Sequence, residues 1–149
     1  MQLDELYRRV IMDHYQRPRN RGKLTEQDGI HIELNNPTCG DRIELQLKLE
    51  GDRVEAIRFD GEGCSISLAS ASMMTEAVKG LTIPEALSLA QHFYELVQGR
   101  VPENVDLGDL EALHGVSKFP ARIKCATLAW KAMEQALKEA ASPGEEAGK

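Results

Sequence analysis

Four residues of this chain combine the types and the placement that can do chemistry: Cys39, Asp41, Cys64 and Cys125. Cys39 and Asp41 stand in NNPTCGD, where Asn36-Pro37 and Gly40 predict a turn, so the thiol is expected near the surface. On an extended segment, residues two apart project to the same side, which lets this thiolate and carboxylate converge. Cys64 follows the break Gly61-Glu62-Gly63 and precedes a helical run. It is therefore expected at a helix N-terminus, where unpaired N–H groups and the macrodipole favour the thiolate. Cys125 shares a helix face with Leu128, Ala132 and Ala136, and that stripe reads as core-facing. Arg122 lies one turn earlier on the same side, and Lys124 adjoins the cysteine.

Each cysteine taken singly has a plainer explanation, because a free cysteine behaves as a small buried hydrophobe. For Cys125 alone that reading is preferred. It is weaker for Cys39, since a turn flanked by Pro and Gly is a poor place for a buried filler. If the loop, the helix start and the helix interior meet, three thiolates and a carboxylate suit tetrahedral zinc. Such a set carries an excess of negative charge that Arg122, with Lys124, would offset. The oxygen ligand binds zinc less firmly than sulfur, which leaves an exchangeable position. No C-x-x-C pair is present, so spacing alone does not fix a metal site. A rival reading, a cysteine hydrolase pairing Cys39 with His31 or His114, offers no third group to orient the histidine.

These side chains need elements to hold them. Leu3 to Gln16 has apolar residues at Leu3, Leu6, Tyr7, Val10, Ile11 and Tyr15 or His14, a helical spacing that Pro18 ends. From Ile30 to Asp60 the period becomes two. HIELNN, RIELQLKLEG and DRVEAIRFDG alternate apolar and polar residues, with Glu50-Gly51-Asp52 as a turn. Ser65 to Lys79 returns to helical spacing and stops at Gly80. Thr82 and Glu85 form a capping box with Pro84 in the first turn, opening a helix that runs to Gln98. Gly99 to Lys118 is the least regular stretch, with a short helix expected over Leu107 to His114. Pro120 opens the last helix, which is expected to end near Ala141, and residues 142–149 read as a disordered tail. Met73, Met74 and Trp130 read as core. The pattern predicts one α+β domain over residues 1–141, a three-stranded antiparallel sheet with helices packed on one face.

Composition narrows the function. The chain has 149 residues, 42% of them apolar, enough for one domain with a real core. No apolar run reaches the length of a bilayer span, and MQLDELYRRV lacks the apolar stretch of a signal peptide, so no membrane role is expected. A formal charge of −6 argues against nucleic acid, whose phosphates need cationic neutralisation. The local exception is Arg17, Arg19, Arg21 and Lys23 in QRPRNRGKL. It reads first as a solvated basic loop and second as a docking patch for an acidic partner. An odd number of cysteines allows no complete disulfide framework, and a reducing, cytoplasmic setting is the expectation.

Four stretches resemble the U-type iron–sulfur assembly family, the group of IscU, SufU and the NifU N-terminal domain. They are DHYQRPRNRG, NNPTCGD, FDGEGCSISLASASMMTEAVKG and FPARIKCATLAW, in order along nearly the whole chain. The resemblance implies an α+β fold with the three cysteines and Asp41 clustered at one end. Lys124 stands where IscU-type members have histidine, and KFPARIK replaces their Pro-Pro-Val-Lys chaperone segment. The Ala90–Phe119 region is also longer. These features resemble the SufU branch. That branch implies a zinc-dependent sulfur acceptor serving a PLP-dependent cysteine desulfurase and downstream iron–sulfur assembly proteins. Cys39 would then be the acceptor, with zinc held among Cys39, Asp41, Cys64 and Cys125 and with Arg122 as the stabilising cation. Two alternatives stay open: a scaffold for a transient [2Fe–2S] cluster on the same residues, and a non-catalytic, zinc-stabilised interaction domain.

Overall fold

Alternating side chains decide the sheet. β1 (Ile30–Asn36), β2 (Asp41–Glu50) and β3 (Arg53–Glu62) pair antiparallel in the order β1-β2-β3. The computed structural model describes residues 3–22, 30–36, 40–100 and 107–141; Lys23, Cys39 and the tail 142–149 lie outside the described residues. On β2 the inward positions are Asp41, Ile43, Leu45 and Leu47, all buried, while Arg42, Glu44, Gln46 and Lys48 face the other way. Ile32 of β1 and Val54, Ile57 and Phe59 of β3 extend the buried face. Between β2 and β3 the chain turns through Gly51 at φ 63°, left-handed backbone that glycine adopts without a Cβ penalty.

The predicted one-sided packing is observed. α2 (Ser65–Val78) lies against β3, and α4 (Pro120–Ala141) lies against β1 and β2. α2 is almost wholly buried, which explains its small residues: Ala69 and Ala71 let neighbours approach, and its buried hydroxyls find partners. Ser70, for example, donates to the Ala126 carbonyl and accepts from the Trp130 indole N–H at 3.1 Å. Trp130 is fully buried and stacks on Phe93 of α3 (Ile83–Val97), with ring centroids 4.5 Å apart. Such a stack contributes about 0.5–1.5 kcal/mol beyond area burial. The capping box that opens α3 forms as read, with Glu85 N–H on the Thr82 hydroxyl and Thr82 N–H on the Glu85 carboxylate.

Two expectations are corrected. The stretch expected as a short helix over Leu107–His114 is a 3₁₀ helix, Gly108–Lys118. Its large buried residues Leu110, Leu113 and Val116, with the N-cap Leu107, recur every third position, a spacing that three residues per turn keeps on one face; the small Ala112 is buried beside them. The basic segment after α1 (Leu3–Gln16) keeps Arg17 and Arg21 exposed, as a solvated loop does, but its backbone is tied down as a strap. Arg19 N–H donates to Ser72 Oγ at 2.8 Å, and Asn20, at φ 60°, donates its side-chain amide to Thr75. Gly22 N–H and the Asn20 carbonyl bond the backbone of Phe59, so part of the open β3 edge is covered. Arg19 pairs with Asp13 at 2.6 Å and Arg21 with Asp60 at 3.2 Å. Hydrogen bonds from Arg19 and then Arg17 hold the Asp13 carboxyl down at about 2.

His14 ties this arrangement together. It is buried on α1, with Nδ1 2.8 Å from Ser72 Oγ of α2 and Nε2 3.0 Å from Asp109 of the 3₁₀ helix. A carboxylate only accepts, so Nε2–H donates to Asp109, while the Ser72 hydroxyl accepts from Arg19 N–H and bonds Nδ1 as well. Three elements thus share one buried side chain. His14→Ala is expected to lower stability by about 1–3 kcal/mol in urea unfolding; an unchanged midpoint would show that the network carries no net stabilisation.

Candidate metal centre

The inward stripe of β2 ends on a carboxylate. Asp41 continues the parity of Leu47, Leu45 and Ile43, so it points into the core side of the sheet and is only 2% exposed. Its cross-strand partner Asn36 ends the matching stripe of β1 and is also buried. α2 starts above this pair. Cys64 is its N-cap in extended conformation, with no side-chain cap bond of its own. Cys64 N–H instead donates to Asp41 Oδ1 at 3.0 Å. The Ser67 hydroxyl, in the first turn, lies 3.2 Å from the same oxygen and 3.0 Å from the Cys64 carbonyl. Cys64 Sγ sits 3.8 Å from Ser67 Oγ.

α4 supplies the third wall. Cys125 is fully buried, and Asn36 Nδ2 donates toward its sulfur at 3.9 Å. Ligand atoms of Asp41, Cys64 and Cys125 all lie within 4.8 Å of one another. The other Asp41 oxygen, Oδ2, is buried with no hydrogen-bond partner among the described residues. A buried carboxylate oxygen without a partner is costly. A divalent cation shared with two thiolates would offset that cost, and a mixed sulfur and oxygen donor set suits zinc. The residues present therefore fit a metal ion.

Sequence reading singled out Cys39, Asp41, Cys64, Cys125 and Arg122. Three of them are brought together. Cys39 lies outside the described residues. Arg122 is exposed one turn before Cys125 and lines a surface groove with Ser65 and Ile66, the residues that follow Cys64. His31 faces outward with Glu44 at 3.5 Å, on the side of the sheet away from the cluster. Three participants were missed. Asn36 shares the inward parity of Ile32, and Ser67 is the third helical residue after the N-cap, so both carried a weak signal. Gly63 was read only as a breaker. A Cβ there would collide with Asp41 Oδ1 and Ser67 Oγ, so the absence of a side chain is what lets the carboxylate reach the helix start.

The geometry can be set beside known proteins. The family model of the NifU-like N terminal domain matches residues 6–142. The chain belongs to this family. The zinc-dependent sulfurtransferase SufU of Bacillus subtilis is 62% identical over 91% of this chain and 91% of its own. The iron–sulfur cluster assembly scaffold protein IscU of Streptococcus pyogenes is 51% identical, over 94% of this chain and 87% of its own. A crystal structure from Fervidobacterium islandicum, assigned as a cluster assembly scaffold for the SUF system, superposes with a TM-score of 0.79 at 35% identity. It covers 86% of this chain and 93% of its own. The family is that of the U-type iron–sulfur assembly proteins, and the α+β fold read from the sequence is theirs.

Ser67→Ala removes a hydroxyl from Asp41 Oδ1 and from beside Cys64 Sγ while leaving every candidate ligand in place. It is expected to weaken zinc binding by about 10-fold or more in competition with a chromogenic chelator. Gly63→Ala should do more damage, since it displaces the carboxylate itself. Parent-like zinc affinity in both would separate these residues from the metal.

Proposed function

We propose that this chain is a zinc-dependent sulfur acceptor of iron–sulfur cluster assembly. It takes persulfide sulfur from a PLP-dependent cysteine desulfurase onto Cys39 and hands it to downstream assembly proteins in the cytoplasm. The observation that carries the reading is the buried Oδ2 of Asp41, without a hydrogen-bond partner among the described residues, beside two converging thiols. Asp41, Cys64 and Cys125 would hold the metal. Cys39 is the remaining cysteine, and the covalent chain keeps its α-carbon within about 7 Å of that of Asp41. It can therefore complete a fourth position or leave it.

Zinc, when bound, supplies a divalent charge that keeps coordinating thiols deprotonated. The chain's own groups do the rest. Cys64 stands at the start of α2, and its amide fixes Asp41 Oδ1 beside its own sulfur. The Cys39 thiolate attacks the outer sulfur of the donor persulfide; a new S–S bond forms at Cys39, the donor's S–S bond breaks, and the donor leaves as a thiolate. Arg122, exposed on the Cys125 helix, offers a cation to the thiolate before and after transfer.

A second reading, a scaffold for a transient [2Fe–2S] cluster, draws support from the relatives named as scaffold proteins. Labelled cysteine and a desulfurase distinguish them. Sulfur is expected on the parent and not on Cys39→Ala; equal labelling of the two would refute the acceptor role. A stable chromophore after anaerobic reconstitution, transferable to an apo-ferredoxin, would favour the scaffold.

A further inference from the structure

The apolar stripe of β1 ends on a carboxamide. Ile32 and Leu34 point inward, and Asn36 follows at the same parity, 7% exposed. An aliphatic residue would fill this place at no polar cost, whereas a buried amide is costly unless its donors are used. The backbone of Asn36 is fixed from two sides. It pairs with Asp41 across the strands, and its carbonyl accepts the Gly40 N–H at 2.8 Å. From that anchored position Nδ2 reaches across to α4, where Cys125 Sγ lies at 3.9 Å.

The state of the sulfur decides the strength of this contact. A thiol is a weak acceptor. In that form Cys125 Sγ also faces the Ala121 carbonyl of its own helix at 4.0 Å, a bond that only a protonated sulfur can donate. A metal-bound thiolate has no proton to give, and a hydrogen bond to a charged acceptor is about twice as strong as one between neutral groups. Coordination thus removes the Ala121 bond and strengthens the one from Asn36. Cys125 is fully buried, so solvent does not compete for the same lone pairs. The amide is matched to the loaded site and poorly matched to the empty one.

We propose that Asn36 is a positioning residue that keeps Cys125 on the metal while sulfur is passed at Cys39. The proposal rests on the function given above. The amide draws charge from the Cys125 thiolate and fixes its direction, so this ligand is held while another position of the site exchanges.

Two variants test it on the purified full chain. Asn36→Leu keeps the branched shape and removes the donor; Asn36→Asp keeps the shape and turns a charge toward the sulfur. With cobalt(II) as the probe of the zinc position, the sulfur-to-metal charge-transfer band of Asn36→Leu should lie at longer wavelength than that of the parent. An N–H donor stabilises the sulfur electrons, and its loss raises them. Competition with a chromogenic chelator should show zinc bound about 10-fold more weakly by Asn36→Leu, and no more tightly than that by Asn36→Asp. Zinc-free Asn36→Leu should melt at or above the parent midpoint, because an apolar side chain replaces a poorly matched amide. A structural role gives the reverse pattern: a lower zinc-free midpoint with band and affinity unmoved, which would overturn the proposal. None of these readouts depends on sulfur transfer. A parent that binds zinc but takes no sulfur from a desulfurase ends the functional reading alone, and band and affinity still decide Asn36. A parent that binds neither ion overturns both.

Discussion

A carboxylate placed where a hydrophobic stripe should end is the constraint on which the rest of this molecule depends. β2 alternates without interruption, so nothing local prevents Asp41 from pointing inward with Ile43 and Leu45. Burial then removes its water, and the protein returns only part of what was lost. One oxygen receives the Cys64 amide and lies within reach of the Ser67 hydroxyl; the other receives nothing among the described residues. Half-satisfied buried charge is tolerated where a ligand completes it, and the two thiols nearby say which kind of ligand.

The surrounding fold holds that arrangement still. α2 and α4, neighbours on one face of the sheet, bring their cysteines to the same end of it, and both helices are locked by the core through Trp130, Phe93 and the buried hydroxyls of α2. His14 and the Arg19–Gly22 strap fasten α1 and the 3₁₀ helix to the same helix, α2. Two candidate ligands thus come from helix starts packed on the core and a third from a strand end.

Much of this was legible beforehand because period is a strong signal. The alternation in β1 to β3, the capping box at Thr82 and the apolar face of α4 each named their element, and the positions of Cys64 and Cys125 followed. What escaped was of two kinds. The strap and the 3₁₀ helix depend on tertiary pairing: four arginine-rich residues look solvated until Asp13, Asp60 and the edge of β3 are beside them. A spacing of three at Leu107, Leu110, Leu113 and Val116 was present but falls between the periods usually sought. Asn36, Ser67 and Gly63 escaped because their contribution is the space or the single bond they give to Asp41, and neither leaves a mark in composition.

The claim at the centre is that one zinc ion is held by sulfur from three cysteines and oxygen from Asp41. X-ray absorption at the zinc edge on the purified full chain tests it most directly. Three Zn–S scatterers near about 2.3 Å with one oxygen near about 2.0–2.2 Å are the predicted shell. A shell of nitrogen and oxygen alone, or protein that retains no zinc after mild dialysis, would contradict it.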